Sequence, residues 1–476
     1  MAAQASDYDR VLQDTLDYIH HAPITSASAY DLARLSLLDA LGTAIANLSS
    51  PDPTYRRLVG PMVPGTTVLC GFRLPGTSFE LDPVKGAFDL GALITHPHGS
   101  TSGPPTTTPG HPSSTLGALL ATADWLSRTR TRPAPASPEP PTGVSLRTLL
   151  TVQIEAYELY GCLAAHNPTL SPALLANVAA TACVSHLLEL SEEDALAALS
   201  NAWADAGALR VPGSGRKSWE VADAGARAVQ HALLAQRGQP GVPMVLGAEG
   251  WGVQDAVLGG MDVRLPGVYG SLEKNAYFQL VPAAWWAVSA VEAAVGLVGM
   301  LLEMGLSVEK DVQNVVLRTT RAGKRSCGGG SGVGRRGDLG YVVAVVLLLE
   351  GEMVEEEDYE DDSAWARDPR VEALRGRMIV VEDEEFTRGY DDERTRSAAN
   401  GIKLLLGVDA EVPEKVVEFP VGHPKREDTA LMVGEKFRKN MQKGDFGDDR
   451  VDEMLEMVEV DDIEVADFVD LFWKWA

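Results

Sequence analysis

The sequence predicts a mainly α chain: a large all-α domain formed by residues 1–265 together with 405–476, and a smaller α+β domain inserted at 266–404. Three observations carry this reading. The first half is dominated by alanine- and leucine-rich stretches with helical spacing. After about residue 265 the character changes to short β-branched runs bounded by turns or charge. The C-terminal stretch then returns to an amphipathic helical pattern. A chain of 476 residues is also too long for one ordinary core, so more than one domain is expected.

In "SAYDLARLSLLDALGTAIANL", Leu32, Leu35, Leu38, Leu41 and Ile45 recur on a helical repeat. "PVKGAFDLGALI" is a second helix, with Pro83 suited to its first turn. "STLGALLATADWLSR" is a third, with Ser113 or Ser114 as its N-cap. "TRTRPAPASPEPPTG" cannot pack and is expected as an exposed loop. "SLRTLLTVQIEAYELYGCLAAH" and "ANVAATACVSHLLEL" are apolar enough for central helices, and "SEEDALAALSNAWADAGAL" opens on a Ser-x-x-Asp cap. Beyond the "RLPGVYGS" break, one more helix is expected in "AAWWAVSAVEAAVGLVGMLLEMG". "VQNVVLRTT", "RMIVVEDEEF" and "EKVVEFPVG" read as strands, while "GYVVAVVLLLEGE" fits helix or strand. "GEMVEEEDYEDD" reads as a solvated helix or loop edge.

The net charge of −26 repels nucleic acid and anionic membrane, so neither is an expected partner. No run of about 18 apolar residues is evident, and no membrane span is expected. Cys70, Cys162, Cys183 and Cys327 show no CxxC spacing, and Cys162 and Cys183 read as free buried thiols. The stretch "MAAQASDYDRVLQDTLDYIHH" has no apolar core and one arginine among several acids, which favours a cytoplasmic location.

Chemistry-bearing residues are few. His96 and His98 form an HxH pair without a third ligand nearby, so no metal is expected there. His111 precedes a helix N-terminus, where free N–H groups can hold an anion; a structural role is the alternative. In "GSGRKSWEVADAGARAV", Gly213 and Gly215 let the backbone approach a ligand beside Arg216 and Lys217, which fits an anion site or a basic surface helix start. "RAGKRSCGGGSGVGRRGD" is a basic glycine-rich loop carrying Lys324, Arg325, Arg335 and Arg336; it lacks both the Walker A closure and the GxGxxG fingerprint, and disorder is the leading alternative to a binding role.

Together, "LLDALGTAIA", "LPGTSFELDPVKGAFDLGALI", "GHPSSTLGALLATADWLSR", "ALSNAWADAGALR", "GSGRKSWEVADAGARAV", "VVEDEEFTRGY" and "EFPVGHPKR" resemble the MmgE/PrpD family, from about Leu35 to Leu471. The resemblance is nearest to 2-methylcitrate dehydratases, in a family that also holds cis-aconitate decarboxylases and fungal dehydratases of longer alkylcitrates. It implies a helical domain with an α+β lid, a homodimer, no metal or other cofactor, and a small tricarboxylate as substrate. The implied reaction is loss of water from a 2-alkylcitrate to give an alkyl-cis-aconitate. It also implies His111, Lys217 and Tyr341 as catalytic groups; Arg216, Arg335 and Arg336, from the two basic glycine-flanked stretches, are expected as substrate contacts.

Several positions depart from the family pattern. No acid stands in "HPHGSTSGPPTTT", where relatives carry an aspartate. Pro172 falls at a family histidine, Gln279 replaces a lysine, Trp286 falls close to another histidine, and "GRRGDLGYVVAV" keeps Tyr341 without the histidine before it. These changes leave open a homologue that binds without turnover, or a cis-aconitate decarboxylase-like lyase.

Overall fold

The computed structural model describes residues 8–50, 56–95, 112–130, 143–205, 217–265, 270, 272–273, 276–327, 334–392 and 394–474. The chain is mainly α and divides into two units: Met1–Ala276 with Val433–Ala476, and Tyr277–Met432.

The first unit begins with α1 (Arg10–His21) and α2 (Ala27–Ser49). A short antiparallel ribbon follows, β1 (Phe72–Arg73) and β2 (Glu80–Leu81), which an all-α reading did not include because two-residue strands leave no alternation to read. Then come α3 (Pro83–Ile94), α4 (Leu116–Arg130), α5 (Leu146–His166), α6 (Pro172–Leu187), α7 (Glu192–Ala204) and α8 (Lys217–Ala235). Their starts are chemically fixed. Asp82 accepts from the N–H groups of Val84 and Lys85 with Pro83 at the first position, and Ser145, Ser171 and Ser191 cap α5, α6 and α7. The α4 start differs from expectation. Pro112–Thr115 form a 3₁₀ turn and the α-helix begins at Leu116, so Ser113 and Ser114 lie inside the turn rather than capping the helix.

Helix α6 is apolar all round and buried along nearly its whole length, packed by α5, α7 and α8, as a central helix must be. Two helices meet at backbone distance beside it. A Cβ on Gly117 of α4 would lie 2.7 Å from both the Ala87 carbonyl oxygen and the Gly91 nitrogen of α3. Only glycine permits that approach.

The second unit contains α9 (Trp285–Glu303), β3 (Val312–Thr319), α10 (Leu339–Leu348), α11 (Pro369–Arg375), β4 (Met378–Glu382), β5 (Asn400–Leu406) and β6 (Lys415–Val417), with further short helical segments between some of them, among them Arg321–Ser326 and Glu384–Asp391. The sheet order is β4-β3-β5-β6; β4 runs parallel to β3, and β5 and β6 are antiparallel to their neighbours. Val315 and Leu317 of β3 and Ile402 and Leu404 of β5 share a core with α9 and α10. "GYVVAVVLLL" is therefore helix, its apolar residues buried on every side. Strand β5, "NGIKLLL", was not anticipated. The "EEEDY" stretch forms a 3₁₀ turn, Glu356–Tyr359.

By length and composition α9 is apolar enough to cross a membrane, a property the sequence reading did not single out. Glu292 interrupts the run; Val288, Val291, Leu297, Val298 and Leu301 are buried in the core of the unit. The tail forms α12 (Thr429–Lys443), α13 (Asp448–Met457) and α14 (Val465–Asp470). Within the first unit, Lys436 of α12 donates to Asp39 of α2 at 2.8 Å, and Asp470 of α14 receives Arg128 of α4 at 2.6 Å. None of the four cysteines is in a disulfide, and Cys162 and Cys183 are buried.

Candidate active site

Tyr341 and Arg335 share one cavity of about 410 Å³ in the second unit. Its wall also includes Asp338, Asp361, Trp365, Asp368, Val371, Glu372 and Arg375. The local chain geometry follows from Asp338. This residue caps α10, its Oδ1 accepting from Gly340 N at 3.0 Å and Tyr341 N at 3.2 Å, while Oδ2 receives Arg375 at 2.7 Å. The cap therefore places Tyr341 in the first turn of α10, next to the turn Gly334–Gly337 that carries Arg335 and Arg336.

The two cavity arginines are not equivalent. Arg375 is held by Asp338, whose side chain is 7% exposed, and by Glu372. Arg335 pairs with Asp361, whose side chain is 98% exposed and therefore a weak, water-screened partner. Arg335 is thus the cation that an incoming carboxylate can capture at least cost. Arg336 does not belong to the cavity wall; it pairs with Glu356 at 3.4 Å. The Tyr341 hydroxyl donates to the Asp358 carbonyl at 3.2 Å, and burial raises its pKa above the ordinary phenol value. At neutral pH this phenol keeps its proton, so it is suited to donate rather than to abstract. Asp338, Trp365 and Arg375 were not singled out in the sequence. Arg375 meets Asp338 only through the packing of α11 against α10.

The replaced positions have structural partners. The Gln279 amide donates to the Ala283 carbonyl at 3.0 Å. Trp285 is buried and meets Tyr277 edge-on at 4.6 Å. The Trp286 indole donates to the Gly337 carbonyl at 3.1 Å. His423, in the "GHP" turn, accepts from Lys425 N at 3.0 Å through Nδ1 and faces the Thr395 carbonyl at 3.2 Å through Nε2. Burial lowers its pKa to about 4, so it is a neutral packing group with Nε2 protonated. Gly422 before it has φ +87°, and any Cβ there would strike the Phe278 carbonyl.

In the first unit, Lys217 is the first residue of α8, and its side chain lies outside the described residues. His111, Arg216, His96 and His98 also lie outside them. Among the described residues no group of three or more His, Cys, Asp or Glu side chains is arranged to hold a metal. Other buried ionic pairs bind elements together. Lys85 and Asp89, one turn apart on α3, pair with each other; Lys85 also donates to the Leu58 carbonyl, and Asp89 accepts from Gly60 N at 2.8 Å.

Comparison with known proteins matches residues 13–266 to the MmgE/PrpD N-terminal domain and residues 281–462 to the MmgE/PrpD C-terminal domain. The 2-methylcitrate dehydratase-like protein oryR of Aspergillus oryzae is 39% identical over 98% of this chain and 96% of its own length. The alkylcitrate dehydratase phiI of a fungal species is 36% identical over 98% and 94%. The 2-methylcitrate dehydratase of Cupriavidus necator is 40% identical over 93% and 92%.

Proposed function

The chain belongs to the MmgE/PrpD family, and from that premise we propose that it is a hydro-lyase that removes water from a 2-alkylcitrate-type tricarboxylate to give the alkyl-cis-aconitate. The observation that carries the proposal is similarity along nearly the whole chain to proteins named as 2-methylcitrate and alkylcitrate dehydratases.

In this reaction a base takes the proton on the carbon beside one carboxylate. The C–H electron pair becomes the C=C bond, the C–O bond breaks, and the departing hydroxyl leaves as water with a proton from an acid. In this proposal Tyr341 is the proton donor, supported by its protonated state at neutral pH. Arg335 holds a carboxylate, supported by its exposed and exchangeable partner Asp361. Lys217 and His111 keep the roles the family resemblance gives them, Lys217 on a carboxylate and His111 in proton transfer. Arg216 and Arg336 are further carboxylate contacts. Trp365, Ala366 and Val371 offer an apolar wall for the alkyl chain. No cofactor enters this scheme. The larger unit is the helical domain and the smaller one the lid domain of the family layout, in a homodimer.

The replacements at Gln279 and Trp286 favour a second reading, a homologue that binds the tricarboxylate without turnover. Titration calorimetry paired with turnover separates them. The hydro-lyase reading expects an alkylcitrate to bind and be consumed; binding without consumption supports the second.

A further inference from the structure

The start of α9 is tied to the turn before Tyr341 by two hydrogen bonds. Ala284 N donates to the Arg336 carbonyl at 3.2 Å, and the Trp286 indole donates to the Gly337 carbonyl at 3.1 Å. Trp286 is itself held from the sheet. Its carbonyl accepts from the Asn400 amide at 2.8 Å, and the same amide donates to Ser289 at 2.7 Å, one turn further along α9. Asn400 is fully buried at the head of β5, so this end of the connection cannot drift.

On the other side of Gly337 the Asp338 carboxylate is fixed by Arg375. The segment Arg335–Tyr341 is therefore gripped from two directions, by Trp286 and by Arg375. Gly337 has no side chain to brace it. Its carbonyl offers a handle there, and the indole N–H holds it with a geometry that an apolar ring of similar size cannot supply.

We propose that Trp286 is the positioning residue of the Arg335–Tyr341 segment, holding the Gly337 carbonyl and so setting where Arg335 and Tyr341 stand on the cavity wall. A tryptophan at this position is then neither cavity filling nor a ligand contact. Its work is done through its N–H. The kinetic consequence rests on the hydro-lyase reading; the positional claim does not.

The test uses the full chain and the variant Trp286→Phe, which keeps a ring and removes the donor. Hydrogen exchange of the peptide spanning 334–341 is measured beside steady-state turnover of an alkylcitrate. Exchange should accelerate about tenfold, and kcat should fall about tenfold or more with KM within about twofold, because small displacements cost rate more than binding. Unchanged exchange overturns the proposal, as does faster exchange with unchanged kcat. An inert wild type refutes the hydro-lyase reading and leaves exchange to decide the proposal alone. If the variant does not fold, the wild-type indole N–H decides: slow exchange with solvent supports the proposal, and fast exchange overturns it.

Discussion

The Arg335 guanidinium stands 5.8 Å from the centre of the Tyr341 ring, and both residues face the same cavity. In the proposed reaction the cation holds a carboxylate while the protonated phenol beside it serves the departing hydroxyl. Arg335 also lets the phenol ionise more easily than burial alone would allow, since it opposes part of the upward shift.

Tyr341→Phe removes the proposed proton donor and leaves the ring in place. We expect kcat to fall by about 10²–10⁴-fold with KM little changed. Circular dichroism should show the fold intact. A kcat within twofold of wild type would remove Tyr341 from the chemistry.

Lys217 is the first residue of α8, and a helix N-terminus favours an anion through its backbone. Lys217→Ala should weaken tricarboxylate binding about tenfold or more, with little change in thermal stability. Calorimetric affinity equal to wild type would make the lysine a surface feature.

His423 gives the fold a pH dependence with a definite sign. Its folded pKa is about 4, against 6.5 for the unperturbed group. Between those values the unfolded chain binds a proton that the fold excludes, so stability falls as pH drops through this window. Above pH 6.5 the effect is absent. Burial is the main cause, reinforced by Lys425 and Arg426 and opposed by the Thr395 and Arg396 carbonyls. The loss approaches about 3 kcal/mol near pH 4. Denaturant titrations at pH 7 and pH 4.5 should show it in the wild type and a smaller loss in His423→Gln. Equal losses would contradict the assignment.

Gly117→Ala tests the helical core. The added Cβ meets backbone atoms of α3 rather than a flexible side chain, so the helices must separate. We expect a loss of about 1–3 kcal/mol, read as a lower Tm. An unchanged Tm would show that α3 and α4 can part without cost.

The elements legible in the sequence were those whose ends carry their own chemistry. Asp82–Pro83 marks the first residue of α3, and Ser191 marks α7, because a cap is a local interaction. Strand β5 was not legible. Its "NGIKLLL" begins with Asn and Gly, which are poor strand formers, and the amide of its buried Asn400 finds two of its acceptors, the Trp286 carbonyl and the Ser289 hydroxyl, on a distant helix. The same holds at the site. Tyr341 was found through family resemblance and Arg335 in a basic glycine-rich stretch, whereas Arg375 meets them only when α11 packs on α10, and Trp365 joins them only in the folded cavity wall. For Trp286 the sequence showed a replaced histidine, and only the fold shows the carbonyl that its indole holds.

The mass of the product formed from a 2-alkylcitrate by the purified protein tests the hydro-lyase activity most directly. A hydro-lyase gives a product lighter by one water, with all three carboxylates retained and the ultraviolet absorbance of a conjugated acid. Unchanged substrate, or a product lighter by carbon dioxide, would contradict it.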